Sequence, residues 1–468
     1  MTDLFRLSAL TLADMIAKKK VSSREVIEAH LERIAKINPK LNAIVRVLDK
    51  EARAAADAAD KKVASGGPLG PLHGVPITVK ENIDMAGLPT TQGVPALAEA
   101  IAPLDAPEVE RMRAAGAIPI GRTNLPDFAF RVHTDSSLHG LTRNPWNRER
   151  TTAGSSGGEG AALASGMSPL GLGNDIGGSL RNPANACGIS SIRPSLGRVP
   201  QASSTIPGDR GMAVQLMAVE GPMARRIADV RAGLKVIAGA HPRDPWSLDV
   251  AFDGPPLPRR VAVMEAPPGA PTNPVISAAV RAAADVLSRA GYVVETISPP
   301  RYEESVEVWN TYIISDLDDG LALMKPMMSK AGRDFLDAAR AATPLLQSTS
   351  AMSALYGRRD SIAREWSMFM ADTPLLLSPC WTQLPFEHGF DAAAPENAAK
   401  TLEIMRPVVP ANLLGLPSAC TPAGRDKETG LPIGVLITGP RMREDLCLAA
   451  AEAIEARLGL ETPIDPAW

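Results

Sequence analysis

The sequence predicts an α/β protein with a mixed β-sheet, because short apolar strand candidates alternate with helical segments along the chain. The strand candidates are VPITVKENI, GAIPIGRTN, RVAVMEA, TPLLLSP and LPIGVLITGP. Between them lie segments whose apolar residues recur three and four positions apart, as on one face of a helix. Such an alternation of strands and helices is typical of α/β folds.

The first 65 residues are predicted to form helices. Ser22 lies three positions before Glu25, which is the spacing of a capping box at a helix start. The helix that follows places on one face Val26, Ile27, His30, Leu31 and Ile34. The segment NPKLNAIV is expected to end this helix, and the alanine-rich DKEARAAADAADKK is expected to form a second one.

The strand candidate VPITVKENI carries a lysine at its end. Val75, Ile77 and Val79 alternate as the buried residues of a strand do, and Lys80 follows them. A lysine at a strand end is usually a solvated charge. If the fold buries it instead, the loss of solvation lowers its pKa and allows the neutral amine to act as a base.

Composition and charge exclude several classes of protein. The 468 residues are 45% hydrophobic and 22% charged, which is ordinary for a globular protein with a large core. The formal net charge of −3 provides no basic surface for nucleic acid or an anionic membrane. The N-terminal residues interrupt their apolar positions with charges, unlike a signal peptide, and no apolar stretch predicts a membrane span.

The cysteines predict neither a zinc site nor a disulfide framework. The chain contains Cys187, Cys380, Cys420 and Cys447, far apart in the sequence and without a C-x-x-C pair. We therefore expect reduced and mostly buried thiols, no bound metal, and a cytoplasmic location.

The segment 151–188 is unusually rich in Gly, Ser and Ala. GSSGG at 154–158 matches the nucleophile elbow G-x-S-x-G, but no hydrophobic strand precedes it, as that motif requires. GLGNDIGG at 171–178 misses the glycine spacing of a dinucleotide-binding loop, and no phosphate-binding G-K-[ST] occurs. Taken alone, such a stretch usually forms tight turns and close helix contacts.

The sequence DIGGS in this segment favours a catalytic interpretation. It offers consecutive backbone N–H groups, and its two glycines allow them to converge on one anion, such as the oxyanion of a tetrahedral intermediate. Ser179 follows directly, in the place of a nucleophile. A serine hydroxyl needs a base. None of the six histidines has the context of a triad, so Lys80 is the candidate.

Several further segments accompany these two along the chain. In order they are LHGVPITVKENID, GRTNLPDFAF, GLTRNPWN, AGSSGGEGAALASGMSPLGLGNDIGGSLRNPANACG, GPMARRIADV, NLLGLPSACTPAG and GLPIGVLITGPRMRED. Together they resemble the amidase signature family. The resemblance covers most of residues 1–235 and 405–455, whereas the stretch from 235 to 400 matches loosely.

The resemblance implies both a fold and a catalytic triad. The fold would be a central, twisted, mixed β-sheet covered by helices on both faces. The triad would be Ser179 as the nucleophile, Ser155 as a bridging serine after a cis peptide bond, and Lys80 as the base. The oxyanion would be held by the N–H groups of Ile176, Gly177, Gly178 and Ser179. Phe130 and Gly154 would contribute to substrate binding, and no cofactor or metal is implied.

We expect a single amidase domain over residues 1–468. Its parts are the N-terminal helices (1–65), the catalytic core with the signature (66–235), a divergent substrate-binding part (236–400) and a return of the chain to the core (401–468).

Other residues have structural interpretations. Asp175 and Arg181 flank the nucleophile and are expected to pair, and His73 is expected to pack in a turn. Glu159 stands where the family commonly has Ser or Ala, and we expect it to favour the positive end of a helix. A helical stretch in the divergent part carries Trp309, Tyr312, Met324, Met327 and Met328, which line an apolar pocket or belong to the core.

The resemblance implies hydrolysis of a C–N bond through an acyl-enzyme. The motifs DIGGS and GEG are nearest to the fatty acid amide hydrolase-like members and the bacterial aryl and acyl amidases. We expect a small-molecule amide, aryl amide or carbamate as substrate, no nucleic-acid partner and no stable membrane anchor, and a homodimer is compatible with the sequence. The alternative is the glutamine-hydrolysing component of a tRNA-dependent amidotransferase, which would need partner subunits.

Overall fold

The computed structural model describes residues 3–205, 210–343, 345–346 and 348–468. Its helices are α1 (Ala9–Ala17), α2 (Ser23–Leu41), α3 (Asp49–Ala64), α4 (Pro107–Ala114), α5 (Gly157–Ala164), α6 (Arg181–Cys187), α7 (Met212–Met217), α8 (Ile227–Ile237), α9 (Pro274–Arg289), α10 (Tyr302–Met324), α11 (Lys330–Ala341), α12 (Thr349–Asp372), α13 (Phe390–Ala393), α14 (Pro395–Ile404), α15 (Val409–Leu414) and α16 (Glu444–Leu458). Its strands are β1 (Ile44–Val47), β2 (Pro76–Lys80), β3 (Ile118–Thr123), β4 (Asp135–Ser136), β5 (Gly140–Leu141), β6 (Leu170–Asp175), β7 (Ser190–Arg193), β8 (Val219–Ala224), β9 (Arg260–Val263), β10 (Val293–Glu295), β11 (Leu375–Pro379), β12 (Ser418–Arg425) and β13 (Pro432–Thr438).

In the described part of the chain, eleven strands form one sheet in the order β1-β3-β2-β6-β8-β7-β12-β13-β11-β9-β10. β2 runs parallel to both of its neighbours, β3 and β6, whereas β6 is antiparallel to β8. Towards the other edge, β11 is antiparallel to β13 and parallel to β9. The mixed sheet that the sequence predicts is therefore confirmed.

The sheet separates two apolar cores. Along β13, Val435 and Ile437 belong to one core and Leu436 belongs to the other, because successive residues of a strand face opposite sides. Helices α1, α4, α8, α9 and α16 contribute to the first core, and helices α6, α10, α11, α12 and α15 contribute to the second. Helices thus cover both faces of the sheet, as expected.

The N-terminal segment is helical with one exception. The capping box is confirmed, since the Ser22 side chain accepts from the Glu25 N–H and the Glu25 carboxylate accepts from the Ser22 N–H. The helix ends inside the segment NPKLNAIV, as expected, after α2 has continued through Pro39 to Leu41. The residues that follow form β1, an edge strand that the sequence analysis missed. The Asn38 side chain bonds the backbone at the start of β1 and so holds the turn between α2 and β1.

The strands that carry the site were the hardest to predict. β6, β7 and β8 contain Gly, Ser, Pro and charged residues, which are poor strand formers. In β6 the glycines have a packing role, because a Cβ at Gly171 would lie 1.9 Å from Oε1 of Glu159. The absence of a side chain there allows α5 to pack closely on the strand.

The divergent part of the chain is mainly helical, as predicted. The expected helix followed by a strand is present as α9 and β10, and the stretch that begins at Ser305 lies in α10 and α11. Over the described residues, none of the helices combines the length and the apolar character needed to cross a membrane.

Candidate active site

The structure brings Lys80 and Ser155 into direct contact. Lys80 is the last residue of β2 and is completely buried. Its Nζ lies 2.7 Å from Oγ of Ser155 and 2.6 Å from Oδ1 of Asn174. Both of these hydrogen-bond partners are uncharged. A lysine in this position can exchange a proton with the Ser155 hydroxyl.

The surroundings of Lys80 make its neutral form accessible. Burial lowers the pKa of Lys80 to about 7, because the interior solvates the ammonium ion poorly. The carboxylates of Glu220, Asp175 and Glu159 oppose this effect by favouring the charged form. The lysine predicted to be a desolvated base is thus buried, with a pKa close to neutral pH.

The loop before α5 presents Ser155 to this lysine. The Gly154–Ser155 peptide bond is cis, as the resemblance implies. A Cβ at Gly154 would lie 2.5 Å from the Arg131 carbonyl oxygen and 2.9 Å from the His133 nitrogen, so the close approach of the two backbones requires glycine. Gly154 is buried in this contact, and its expected part in substrate binding stays a prediction.

The loop between β6 and α6 holds Ser179, which is buried and 8% exposed. The Asp175 carboxylate organises this loop by accepting from the Gly178 N–H at 2.8 Å and the Leu180 N–H at 3.3 Å. The Gly178 N–H is therefore already bonded within the loop. The N–H groups of Ile176, Gly177 and Ser179 remain the candidates for the predicted oxyanion hole.

A buried ion cluster fixes Asp175 in turn. Arg181 donates to both of its carboxylate oxygens, from Nε at 2.9 Å and from an Nη at 3.0 Å, which confirms the expected pair. Asn412 adds a third donor at 2.7 Å. Arg181 and Arg193 hold the pKa of Asp175 well below its usual range, by attraction and by hydrogen bonding.

Asn182 joins the two serine loops. Its Nδ2 donates to the carbonyl oxygen of Gly154 at 3.3 Å and to that of Gly177 at 3.1 Å. Its Oδ1 accepts from Nε1 of Trp381 at 2.9 Å. The side chain thus ties the loop that carries Ser155 to the loop that carries Ser179, and the indole of Trp381 determines which way the amide points.

Trp309, an aromatic residue of the divergent part, contacts the loop of Ser179. Nε1 of Trp309 donates to the Ile176 carbonyl oxygen at 3.2 Å, and its ring atoms lie 2.8 Å from a Cβ position on Gly177. Phe128 and Phe130 are partly buried, with ring centroids 6.3 Å apart, and pack against the core to which Trp309 belongs. The substrate-binding role of Phe130 stays a prediction, but its neighbourhood is apolar and aromatic.

The residues that the sequence analysis assigned either to an apolar pocket or to the core differ in burial and in their contacts. Tyr312 and Met328 are buried in the second core, whereas Met324 is partly buried against it. Trp309 is the member of this set that contacts the loop of Ser179. Tyr312 and Met328 therefore fit the interpretation as core residues. Trp309 fits both interpretations, as a core residue and as a residue that lines a pocket.

Glu159 lies in the first turn of α5, as expected of an acidic residue at the positive end of a helix. Its carboxylate accepts hydrogen bonds from the hydroxyls of Thr78, on the strand of Lys80, and of Thr123, on the neighbouring β3. Burial raises the pKa of Glu159 to about 7. The sequence analysis did not predict that the hydrogen-bond donors come from the sheet. His73 packs in a turn as expected, with Nε2 3.1 Å from the Ala59 carbonyl oxygen.

Ser156 takes no part in this arrangement. Its Oγ is buried against Gly173 and has no hydrogen-bond partner among the described residues. No strand of the described sheet leads into residues 151–156, so the nucleophile-elbow interpretation fails. In the described part of the chain, no three His, Cys, Asp or Glu side chains come together as metal ligands would.

Sequence reasoning missed three polar contributors to the site. Asn174 and Asn182 lie inside the signature segment, where their proximity to Asp175 and Ser179 was a usable signal. Trp381 lies 199 positions from Asn182, in the divergent part, and no local pattern marks it.

Comparison with known proteins agrees with the geometry. The sequence model of the family described as Amidase matches residues 25–448. An indoleacetamide hydrolase of Bradyrhizobium diazoefficiens is 43% identical over 464 residues, which are 97% of this chain and 87% of that protein. A glutamyl-tRNA(Gln) amidotransferase subunit of Synechococcus sp. (strain RCC307) is 33% identical over 95% of this chain and 96% of that protein.

A solved structure shares the architecture. The structure of 6-aminohexanoate cyclic dimer hydrolase in complex with substrate superposes with a TM-score of 0.85 and 28% sequence identity. The superposition covers 100% of this chain and 99% of the other. The fold is therefore shared over the whole length, including the divergent part.

Proposed function

This chain belongs to the amidase family of hydrolases that act on C–N amide bonds, and we propose that it cleaves amides of acids that carry an aromatic group. The reaction would use Ser179 as the nucleophile, Ser155 as the bridging serine and Lys80 as the base. The observation that carries the proposal is the 2.7 Å contact between Nζ of a fully buried Lys80 and Oγ of Ser155.

The first half of the reaction acylates the enzyme. Neutral Lys80 takes the proton of Ser155, which takes the proton of Ser179, and the Ser179 oxygen attacks the amide carbon. The negative charge that develops on the carbonyl oxygen would be met by the N–H groups of Ile176, Gly177 and Ser179. Loss of one such donor typically costs on the order of 3 kcal/mol of transition-state stabilisation.

The second half returns the proton and releases the acid. The relay delivers the proton to the leaving nitrogen, the C–N bond breaks, and the amine or ammonia departs. Water then loses a proton to the same relay and attacks the acyl carbon. The bond between the acyl carbon and the Ser179 oxygen breaks as the relay delivers a proton to that oxygen. The proton that Ser179 gave to the leaving nitrogen is thus replaced by one from water, and Lys80 and Ser155 end the cycle as they began it.

Two observations support an aromatic acyl group. The relative that is 43% identical is named for the hydrolysis of indoleacetamide. In addition, Trp309 lies against the loop of Ser179, and Phe128 and Phe130 pack on the same core. An aryl ring gains most from burial against such surfaces. The proposal extends to aryl amides and aryl carbamates, because their carbonyl carbons would meet the same nucleophile and the same N–H groups.

The second candidate is the glutamine-hydrolysing component of a tRNA-dependent amidotransferase. The Synechococcus relative, at 33% identity over nearly its whole length, favours it. The same Ser179, Ser155 and Lys80 would then act on glutamine, and partner subunits would receive the ammonia. The two candidates differ in the acyl group that the site accepts.

The test is a panel of indole-3-acetamide, an acyl p-nitroanilide, a phenyl carbamate and glutamine. We expect wild-type protein alone to hydrolyse indole-3-acetamide and Ser179→Ala to lose this activity. Ser156→Ala is the matched control and should retain it, because the Ser156 hydroxyl makes no hydrogen bond to the described residues. Turnover of glutamine only, or only after addition of partner subunits, would establish the second candidate. Full activity of Ser179→Ala would refute the triad.

We also propose a cytoplasmic enzyme. The support is the state of Cys187, Cys380, Cys420 and Cys447, which are all free and buried. Free thiols are typical of reducing compartments.

A further inference from the structure

We propose that Asn174 is a positioning residue that orients the Lys80 amine so that its lone pair faces Ser155. The inference rests on the proposed function, in which Lys80 is the base. It is carried by three contacts that join Asn82, Asn174, Lys80 and Ser155 into one chain of hydrogen bonds.

The first contact determines which atom of the Asn174 amide faces Lys80. Nδ2 of Asn174 donates to Oδ1 of Asn82 at 3.0 Å. The Asn174 amide nitrogen is thereby engaged on the side of Asn82, and its oxygen is left pointing at Lys80. Asn82 lies in the loop directly after β2, and Asn174 lies near the end of the adjacent β6, so the sheet itself sets their separation.

The contact between Lys80 and Asn174 determines how the Lys80 amine is oriented. A neutral amine has two N–H donors and one lone pair, and the Asn174 oxygen can only accept. One N–H must therefore point at Asn174, and Asn174 cannot compete for the lone pair. The Ser155 hydroxyl, 2.7 Å away, can donate to the lone pair. This is the orientation that the transfer of a proton from Ser155 to Lys80 requires.

The Asn174 oxygen that accepts from Lys80 carries no charge. Lys80 already faces Glu220 on β8, Asp175 at the end of β6 and Glu159 on α5, and each of these carboxylates favours the ammonium form. Glu220 is also the cross-strand neighbour of Asn174. A carboxylate at 174, in direct contact with Nζ, would add to them and hold Lys80 protonated. The amide accepts the hydrogen bond without that effect.

A purely structural role predicts something else. If Asn174 only held the end of β6 to the loop of Asn82, its replacement would lower the stability of the fold or the amount of active enzyme. It would not change the pH at which the base becomes active. The position of the acidic limb of a pH–rate profile does not depend on the amount of active enzyme, so it separates the two roles.

The experiment measures the rate at which a fluorophosphonate probe labels Ser179 at pH values from about 5 to about 10. The probe reports activation of the nucleophile and does not depend on the identity of the amide substrate. We expect Asn174→Asp to move the acidic limb upward by about one pH unit or more, so that labelling is slow at neutral pH and recovers in alkali. We expect Asn174→Ala to label about tenfold more slowly at its optimum and to move the limb downward.

A second variant, at Asn82, tests the contact between Lys80 and Asn174 without changing either residue. Asn82→Ala leaves the Asn174 oxygen in place but removes the acceptor that orients its amide. Asn82 is partly exposed, so this variant can fold even if changes at 174 do not. We expect Asn82→Ala to move the acidic limb of the pH–rate profile downward, as Asn174→Ala does, but by a smaller amount. A thermal melt of each variant accounts for differences in stability.

Each outcome is decisive. Opposite shifts for Asn174→Asp and Asn174→Ala support the inference. Unchanged limbs in Asn174→Asp, Asn174→Ala and Asn82→Ala, with wild type labelled at Ser179, overturn the inference and leave the proposed function intact. Failure of the wild type to be labelled at Ser179 overturns the proposed function and the inference with it.

Discussion

Lys80 and Asp175 are both completely buried, but their surroundings control their charges in opposite ways. Lys80 has uncharged hydrogen-bond partners, Ser155 and Asn174, and burial brings its pKa to about 7. Asp175 is bonded by Arg181 and approached by Arg193, and it stays ionised far below neutral pH. Burial without a directly bonded counter-ion thus makes the charge of Lys80 easy to remove, whereas burial with a bidentate counter-ion keeps Asp175 ionised.

The difference matches the two proposed tasks. A base must gain and lose a proton in each reaction cycle, and the pKa of Lys80 close to neutral pH suits that task. The loop of Ser179 must keep its N–H groups in one arrangement, and the permanent charge of Asp175 holds the Gly178 and Leu180 N–H groups at all working pH values.

The largest expected effect is that of Lys80→Met on activity. We expect kcat/KM for indole-3-acetamide to fall by about three orders of magnitude or more, because the relay loses its base. The protein should remain folded, since the change removes a buried amine whose hydrogen-bond partners are uncharged. Kinetics and a urea unfolding curve measure the two effects. Retained activity would contradict the role of Lys80, and loss of the fold would contradict the contrast with Asp175.

Arg181→Met is expected to lower the stability of the fold. It leaves Asp175 buried without its bidentate partner, which typically costs about 3–5 kcal/mol of the free energy of unfolding. Chemical denaturation measures it. Arg364→Met is the matched control, because Arg364 pairs with Asp360 on the surface and such a pair contributes about 1 kcal/mol or less. Equal losses in the two variants would show that the buried pair has no special part.

The pH dependence of wild type tests the first half of the comparison. The base acts in its neutral form, so kcat/KM should rise with pH and level off above the Lys80 pKa of about 7. Below that value the slope should approach about tenfold per pH unit. A profile that is flat from about pH 5 to about pH 8 would mean that Lys80 is not the titrating base.

The same shift predicts a stability effect. The folded-state pKa of Lys80 lies below its ordinary value of 10.5, so between about pH 7 and that value the unfolded chain binds more protons. The contribution of Lys80 to the free energy of unfolding therefore becomes more favourable as the pH rises through this window. Denaturation of wild type and Lys80→Met at several pH values should show the difference between them changing in this direction. A constant difference would contradict the lowered pKa.

The smallest expected effect is that of Asn182→Ala. The change removes the hydrogen bonds to the Gly154 and Gly177 carbonyl oxygens and leaves Nε1 of Trp381 unpaired. We expect kcat to fall about tenfold, since a buried donor without a partner costs about 1–3 kcal/mol. Trp381→Phe should have a smaller effect, and the double variant should lose less than the product of the two single losses. Multiplicative losses would show that Asn182 and Trp381 act independently.

Much of this arrangement was predictable from local patterns. Strands with alternating branched residues, such as β2, and helices with a capping box, such as α2, follow from short-range preferences. The candidate site residues Lys80, Ser155 and Ser179 stand in segments that match a family signature, but the sequence left open whether the end of the Lys80 strand is buried. The strands β6 to β8 escaped prediction, because they contain Gly, Ser, Pro and charged residues, and the need for Gly171 in β6 arises only from the close packing of α5.

The sequence by itself therefore determined the candidate reacting groups, the class of fold and the apolar strand that carries Lys80, since each of these depends on residues that are close together in the chain. Only the tertiary structure decided where the hydrogen bonds of these groups go. The Gly178 N–H donates to Asp175, and Asn174 on β6 accepts from Lys80 on the neighbouring β2. Trp381, 199 positions away in the sequence, orients Asn182. A hydrogen bond depends on distance and direction in space, and a sequence pattern specifies neither for residues that only the fold brings together.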